Sequence, residues 1–409
     1  MTDALPPEAG KSNVRYHGLD ALRAGAMALG VVLHAAAPYL RHPMEGLVWA
    51  VDGPAAGSAA WPWLDAVFWW LHAWRVPLFF VMAGFFAAML VERRGVRAFL
   101  RHRRDRLLVP LAASCVVLLP ICYFAFAWGW TATGRATWSE VLRLSFGEGL
   151  RKDDVLGPAH LWFLVYLGLF TLVYAAAASS PAVKRVARRA AGVLRRPFAW
   201  AGVVVVTAAL AAVEPAVALT FENDFVPRPV EFVYQGWFFL VGVGLYGVRD
   251  VFDRFARGAW WLTGVAILSG AGLIGVLPSV FAWPITREGV PPIPMPMGAV
   301  FAAAWAGACW LTIFALLAAA IRWLGRPRAW VRWLSDSAYW VYLVHVPVVA
   351  AAHVALHGTI VPPGVRFLLA LAVAIAFTLT TYRFAVRYTF LGAALHGPRH
   401  RPAPAGAER

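Results

Sequence analysis

Acidic side chains are scarce in this chain. Asp and Glu number 21 against 37 Lys and Arg, and charged residues make up only 14% of the 409. A soluble domain carries roughly a quarter of its residues as charged types, so a surface built for water is excluded. Cysteine is rarer still: Cys115, Cys122 and Cys309 fall in apolar stretches without metal-ligand spacing or an even-numbered extracellular framework, and are expected to be inert core residues. The chain also lacks a Gly-rich phosphate loop, an H-E-x-x-H helix, a G-x-S-x-G elbow and a C-x-x-C pair, which removes the common soluble-enzyme and metal chemistries. No apolar h-region with a cleavage site opens the sequence, so the first span itself is expected to direct insertion.

Hydrophobic length is what the chain has instead. Hydrophobic residues reach 61% and the mean hydropathy is +0.64, values of an integral membrane protein, while 21 tryptophans suit aromatic belts at the two interfaces. Apolar runs long enough to cross about 30 Å of hydrocarbon lie at about 20–40, 62–90, 107–127, 160–178, 198–218, 232–248, 259–282, 297–321, 335–356 and 363–388. The expected fold is therefore all-α, a polytopic membrane helix bundle of about ten transmembrane helices. The formal charge of +16 sits in short clusters between these runs, which reads as positive-inside topology and not as a nucleic-acid surface. Most Lys and Arg fall on alternate connections, from Lys11 and Arg15 through Arg93–Arg106, Lys184–Arg196, Arg249–Arg257 and Arg322–Arg332 to Arg387–Arg409, which puts both termini in the cytoplasm. Residues 1–19 are then a cytoplasmic segment, 20–390 the membrane domain, and 391–409, with HGPRHRPAPAGAER, a disordered tail. The Pro-rich REGVPPIPMPMG before the eighth span reads as a stiff extended loop, and no internal repeat is found.

Charge inside a span requires a reason, and Asp20 to Leu40 contains both Arg23 and His34. Eleven residues apart on a helix, they share a face about 16 Å apart along the axis, with Met27 and Gly30 on the same stripe. The second span places Asp65, His72 and Arg75 on one face, with Pro77 and Gly84 available to kink it or to pack it closely. His34 and His72 lie roughly 9 and 15 Å from the outer ends of their spans, so both can open to one outer cavity. His160 opens the fourth span in HLWFLVYL beside Trp162, and His345 follows Tyr339 and Tyr342 in the middle of the ninth. A satisfied structural hydrogen bond accounts for any one of these histidines, but less well for His34, paired with Arg23 on one stripe.

Connections supply the remaining candidates. ERRGVRAFLRHRRDRLL sets seven arginines around Val96, Phe99 and Leu100, as in a short helix at the inner membrane surface. Anchorage beside anionic lipid and a grip on a phosphate-bearing cytosolic ligand through Arg103 and Arg106 both fit it. The later cluster KRVARRAAGVLRR reads as a plain anchor. Two outer loops, Gly129–Ala159 with Glu140, Glu148, Asp153 and Asp154, and Thr220–Glu231 with Glu222, Asn223 and Asp224, fit either a substrate mouth or solvated connections. A neutral imidazole can take a proton from a hydroxyl and return it to a leaving group, as acyl transfer requires, whereas a carboxylate-poor site does not suit glycoside cleavage.

Five elements in order, RYHGLDALRA with the R-x10-H pair Arg23 and His34, HAWRVPLFFVMAGFF, the arginine loop with Arg103 and Arg106 running into RLLVPL, HLWFL, and SAYWVYLVHVPVV, resemble the membrane-bound acyltransferase 3 family. Within it the chain is similar to the glucan-biosynthesis protein C type, which succinylates periplasmic glucans. The resemblance spans nearly the whole chain. It implies that His34 is the catalytic base or a transient acyl carrier, with Arg23 orienting it or holding donor charge. It implies acyl-CoA as the donor substrate, its phosphates contacted by Arg103 and Arg106. From their place in the second span, His72 is expected with His34 at the catalytic centre and Arg75 on the donor side, with no metal and no permanently bound cofactor. Asp65, His160, Trp162 and His345 are then expected on the substrate side. The partners implied are acyl-CoA, an extracytoplasmic glycan or another hydroxyl acceptor, and the lipid of the inner (plasma) membrane. The fused periplasmic domain of some members is not expected here. A transporter of a small anion or glycan unit using the same Arg and His is the competing reading, and acylation of a small lipid or secondary metabolite stays within the same chemistry.

Overall fold

The computed structural model describes residues 16–51, 62–146, 150, 155–221, 223–283, 285, 293–397 and 399. Lys11, Arg15, Glu148, Asp153, Asp154, Glu222, most of the Pro-rich loop, and the tail at 398 and 400–409 lie outside them. The described residues form helices and no strands, apart from an isolated parallel bridge between Glu45 and Thr220. In membrane such economy is expected, since a helix satisfies its own backbone polar groups.

Helix α1, His17–Ala36, ends in a 3-10 turn, Ala37–Tyr39, and the chain then folds back over the bundle end as far as Val51. Helix α2, Pro62–Arg103, runs through a five-residue π turn, Arg104–Leu108, into α3, Val109–Ala132. The 3-10 turn Ala159–Leu161 leads into α5, Trp162–Ser179, after the short α4, Trp138–Arg143. Next come α6, Pro181–Leu194, α7, Pro197–Val213, α8, Ala216–Leu219, α9, Pro229–Gly247, α10, Val251–Arg257, and α11, Ala259–Val280. The chain closes with α12, Met297–Leu324, α13, Ala329–Leu356, α14, Pro363–Thr381, a π turn at Tyr382–Val386, and α15, Phe390–His396.

By length and composition, 7 helical runs among the described residues can cross a membrane: His17–Tyr39, Trp63–Ala132, Ala159–Ser179, Ala259–Val280, Met297–Leu324, Ala329–Leu356 and Pro363–Val386. The expected second and third spans are merged in the 70-residue run, which turns at Gly95, whose φ of 77° a side chain would resist. Because the backbone at Gly95 is not helical, the arginine segment beyond it is a short helix of its own, as expected, and it leads into the π turn. Helix α7 stops at Val213, short of the expected 218, because Glu214 and Pro215 intervene. Helix α9 matches the expected sixth span, but Glu231 and Gln235 in its first turns dilute its apolar character. Residues 390–396, expected to be largely tail, are helical instead, and Arg399 is bound to Asp336 by two contacts of 2.9 Å.

Val116, Val117, Leu172, Val205, Leu268 and Leu368 point outward from α3, α5, α7, α11 and α14, as lipid-facing helix surfaces do. Inside, small residues let backbones approach. A Cβ on Gly84 would overlap the Phe239 carbonyl, and one on Gly242 would overlap that of Val81, so α2 and α9 cross there in direct backbone contact. Polar anchors do the rest. The Thr207 hydroxyl donates to the Val203 carbonyl at 3.0 Å and accepts the indole N–H of Trp310 at 2.7 Å and of Trp237 at 3.0 Å, tying α7 to α12 and α9.

Replacing Thr207→Val keeps the side-chain shape but leaves two indole donors without an acceptor, a cost of about 1–3 kcal/mol for each buried donor. Thermal unfolding of the purified protein in detergent, followed by tryptophan fluorescence, is expected to move down by several degrees in Thr207→Val and to stay near wild type in Thr207→Ser. An unchanged midpoint in Thr207→Val contradicts this account of the α7–α12 contact.

Candidate functional site

Two large cavities enter the bundle among the described residues, beside a small one of about 50 Å³ behind His72. The first, about 520 Å³, gathers His34 from α1, His72 and Arg75 from α2, Cys115 and Cys122 from α3, and His160 and Trp162 at the start of α5. The second, about 680 Å³, is lined by Arg23 of α1, Arg93, Arg103 and Arg106 of the α2–α3 bend, Tyr339 and Tyr342 of α13, and Arg399. The residues that face the two spaces are close neighbours in sequence: Val76 and Phe79 on α2, Trp162 and Phe163 on α5, Val346 and Tyr342 on α13. At 1.5 Å per helical residue, the residues lining the two cavities on α2 and α13 are about 4.5–6 Å apart along their helices, so neighbouring turns serve the two spaces.

The centre of the first cavity is a cluster of imidazoles. The rings of His34 and His345 are 5.1 Å apart between centroids, and those of His345 and His160 are 5.6 Å apart. Pro347 of α13 explains part of the arrangement. Proline has no N–H for the carbonyl four residues earlier, and that carbonyl, Leu343 O, receives the His160 Nε2–H at 3.0 Å. The Tyr342 hydroxyl donates to the His160 carbonyl at 2.6 Å, so α13 grips His160 at both its ring and its backbone. His345 directs its Nδ1–H at the Val341 and Tyr342 carbonyls of its own helix, at 3.0 and 2.9 Å.

Arg75 stands beside this cluster with no hydrogen bond or ion pair to any described residue, and its Nε is buried. Its guanidinium fits against α1 because residue 30 is glycine. A Cβ there would collide with Arg75 Nη1. Gly30 is one helical turn before His34, so the cation lies about 6 Å along α1 from the level of the imidazole. A guanidinium in apolar surroundings without a counter-charge is costly. It is a ready site for the oxygen of a bound carbonyl, carboxylate or oxyanion.

The chain that folds back after α1 completes the cavity. Trp49 lies parallel to His34, with 14° between planes and 6.0 Å between centroids, and donates its Nε1–H to His353 Nδ1 at 3.1 Å. The Trp49 carbonyl is held in turn by Trp130 Nε1 and Arg135 Nη1, each at 3.1 Å. Asn223 joins the two outer loops by accepting from Ala159 N at 2.8 Å, and it too lines the cavity. Glu140 instead forms a capping box with Thr137 at the start of α4, and these hydrogen bonds hold its carboxyl below the usual range.

Of the residues expected from sequence, His34, His72, Arg75, His160 and Trp162 line one cavity, and His345 is packed against His34. Arg23 is separated from them. It lines the second cavity, where its Nη2 donates to Ser335 Oγ at 2.6 Å and lies 3.7 Å from Asp20. The shared stripe with His34 is real, but eleven residues of rise put the two in different cavities, so Arg23 does not orient the imidazole. Asp65 lines neither cavity. Its carboxylate accepts Arg41 N at 2.8 Å and faces His42 Nδ1 at 2.8 Å, which fastens the fold-back to α2. Cys115 and Cys122, expected as plain core, border the histidine cavity. Trp49 and His353 were not foreseen. Arg103 and Arg106 face the second cavity together: Arg103 lies over the Phe99 ring at 5.4 Å with its Nε buried and unpartnered, while Arg106 Nη1 donates to the Ala393 carbonyl at 2.6 Å. No group of three or more His, Cys, Asp or Glu suited to a metal occurs among the described residues.

Comparison with known proteins places these features in context. Residues 16–383 match the acyltransferase 3 family model, described as "Acyltransferase domain". Among curated proteins, Glucans biosynthesis protein C of Salmonella paratyphi B (strain ATCC BAA-1250 / SPB7) is 27% identical over 159 residues, 39% of this chain and 38% of that protein. The protein of the same name from Salmonella schwarzengrund (strain CVM19633) is 28% identical over the same length and shares. The matched part thus spans well under half of these relatives. No solved structure matches the chain. With a family match over nearly its whole length and seven described helical runs long and apolar enough to cross a membrane, the chain belongs to the acyltransferase 3 family.

Proposed function

We propose that the protein moves an acyl group, acetyl or succinyl, from cytosolic acyl-CoA to a hydroxyl of an extracytoplasmic glycan in the inner (plasma) membrane. The observation that carries this reading is the pair of cavities, one rich in arginine and one in histidine, lined by neighbouring turns of the same helices. In this reading the bundle crosses the membrane ten times with both termini in the cytoplasm, so the arginine cavity faces the compartment that makes acyl-CoA. The likeness to proteins named for glucan biosynthesis supports a glycan acceptor. Tyr123, Trp130 and Trp162 give the histidine cavity aromatic faces on which sugar rings can lie.

The chemistry follows from the groups present. Arg103 and Arg106 attract the phosphates of the donor, whose pantetheine arm reaches from the arginine cavity to the histidine cavity and brings the thioester carbonyl to Arg75. His34 takes the proton of the acceptor hydroxyl as its oxygen attacks that carbonyl. The negative charge formed on the carbonyl oxygen is stabilised by the guanidinium, which has no competing partner. Collapse breaks the carbon–sulfur bond, and the imidazolium returns its proton to the CoA sulfur. His72, packed between Phe68 and Trp305, walls the space behind Arg75.

His34→Ala is expected to abolish acyl transfer from labelled acyl-CoA to glycan acceptors by purified protein in detergent, with unfolding temperature unchanged. Normal transfer by this variant defeats the proposed mechanism. Arg103→Ala combined with Arg106→Ala is expected to raise the KM for acyl-CoA on the order of tenfold, and an unaltered KM removes both residues from the donor site. Gly30→Leu drives a side chain into the space of the Arg75 guanidinium. It should lower kcat on the order of a hundredfold, as loss of one oxyanion partner does, while donor KM changes little. An equal rise in KM with kcat intact would assign Arg75 to donor binding instead.

A further inference from the structure

We propose that His345 is the positioning residue of His34, accepting its Nδ1–H so that the other nitrogen of His34 is held as a base toward the cavity. The inference rests on the acyl-transfer reading and adds to it a second histidine with a defined tautomer.

Donors and acceptors decide the pairing. A carbonyl oxygen only accepts, so the ring nitrogen that faces one must carry the proton. His345 faces the Val341 and Tyr342 carbonyls with Nδ1, which makes its buried Nε2 a bare lone pair. His160 faces the Leu343 carbonyl with Nε2, which makes its buried Nδ1 a bare lone pair as well. These two acceptors, on adjoining rings, cannot satisfy each other. The ring that adjoins His345 on its other side is His34, whose Nδ1 is also buried and without a partner. One tautomer of His34 resolves this, with the proton on Nδ1 directed to His345 Nε2 and the lone pair of Nε2 left for substrate. The rings stand 5.1 Å apart between centroids with a 54° tilt, near enough for the two nitrogens to pair. Buried polar groups in proteins find partners as a rule, and these orphaned atoms are complementary in kind.

The arrangement repeats the logic by which a general base is oriented by a third group, with an imidazole acceptor in place of a carboxylate. A neutral acceptor suits this site. Arg75 already supplies positive charge to receive the oxyanion, and a carboxylate near it would draw the guanidinium away. On transfer, the acceptor hydroxyl proton moves to His34 Nε2 while the Nδ1–H stays with its bond to His345. When the CoA sulfur leaves, the Nε2 proton moves to it, so His345 gains and loses no proton.

His345→Asn and His345→Gln test this. Asparagine keeps a donor near the place of Nδ1, and with it the anchor to the helix carbonyls, but has nothing at Nε2. Glutamine can place an acceptor oxygen near Nε2. Two readouts are used on purified protein in detergent: acyl transfer from labelled acyl-CoA, and the rate at which diethyl pyrocarbonate modifies His34, measured by peptide mass spectrometry. The expected result for His345→Asn is a fall in kcat on the order of 10- to 100-fold, the usual cost of removing an orienting partner, with donor KM unchanged and His34 modification slowed. His345→Gln should recover part of both. Wild-type rates of His34 modification and of transfer in His345→Asn would overturn the pairing, as would equal losses in the two variants. Slowed His34 modification in His345→Asn, in a protein whose wild type transfers no acyl group, would uphold the pairing and sink the acyl-transfer reading.

Discussion

A proline sets the terms for the histidine cavity. By lacking an N–H, Pro347 frees the Leu343 carbonyl, and that oxygen fixes which nitrogen of His160 carries the proton. Helix α13 thereby does more than span the bundle. Over Val341 to His345 it offers three carbonyls to two imidazoles and a tyrosine hydroxyl to the His160 carbonyl, so the donor and acceptor pattern of the site is written in main-chain geometry. In water these rings would exchange protons and partners freely. In an apolar bundle each orphaned atom costs free energy, which is why a backbone that dictates tautomers also dictates chemistry.

The same scarcity of water gives Arg75 its meaning. A guanidinium normally gathers carboxylates, and this chain keeps them away. Asp65, on the same helix, is spent on the fold-back after α1, while Asp20 and Asp336 line the second cavity. Gly30 then lets the cation lie against α1 without a side chain in the way. The site is therefore positive, uncompensated and shaped before any ligand arrives, which is the condition for stabilising charge that appears only during reaction.

Much of this was legible in the sequence. Apolar run lengths located the helices, and ionisable residues within the runs, His34, His72, Arg75, His160 and His345, pointed to the site, because membrane burial makes such residues stand out. The rest lies where periodicity carries no information. Trp49 sits in the connection between two spans, and only its apolar neighbours in LVWAV hinted that the segment turns inward. Asp65 shows the converse: sharing a helical face with His72 and Arg75 does not decide which partner a carboxylate takes. For Arg23 the eleven residues of rise, about 16 Å, already implied the separate cavity in which it lies. The tail misled through composition, since the Pro-rich sequence beyond residue 397 concealed that α15 gives its last carbonyls to Arg106.

Arg106 and Arg399 connect the ends of the argument. Both line the arginine cavity, yet each already has a protein partner: α15 carbonyls for Arg106, Asp336 for Arg399. Arg103 differs, with its Nε buried and unpartnered beside Phe99. An anion entering this space would meet Arg103 first and compete with neutral carbonyls for Arg106, a contest that a doubly charged phosphate wins over a peptide oxygen. The residues between the cavities, with Phe79 and Phe163 on this side and Val76 and Trp162 on the other, are apolar. In the proposed reading they admit a slender arm while its charged end stays behind. A transporter must carry its whole cargo past them. A transferase need pass only the group at the end of the arm, which is the simpler use of two cavities lined by neighbouring turns.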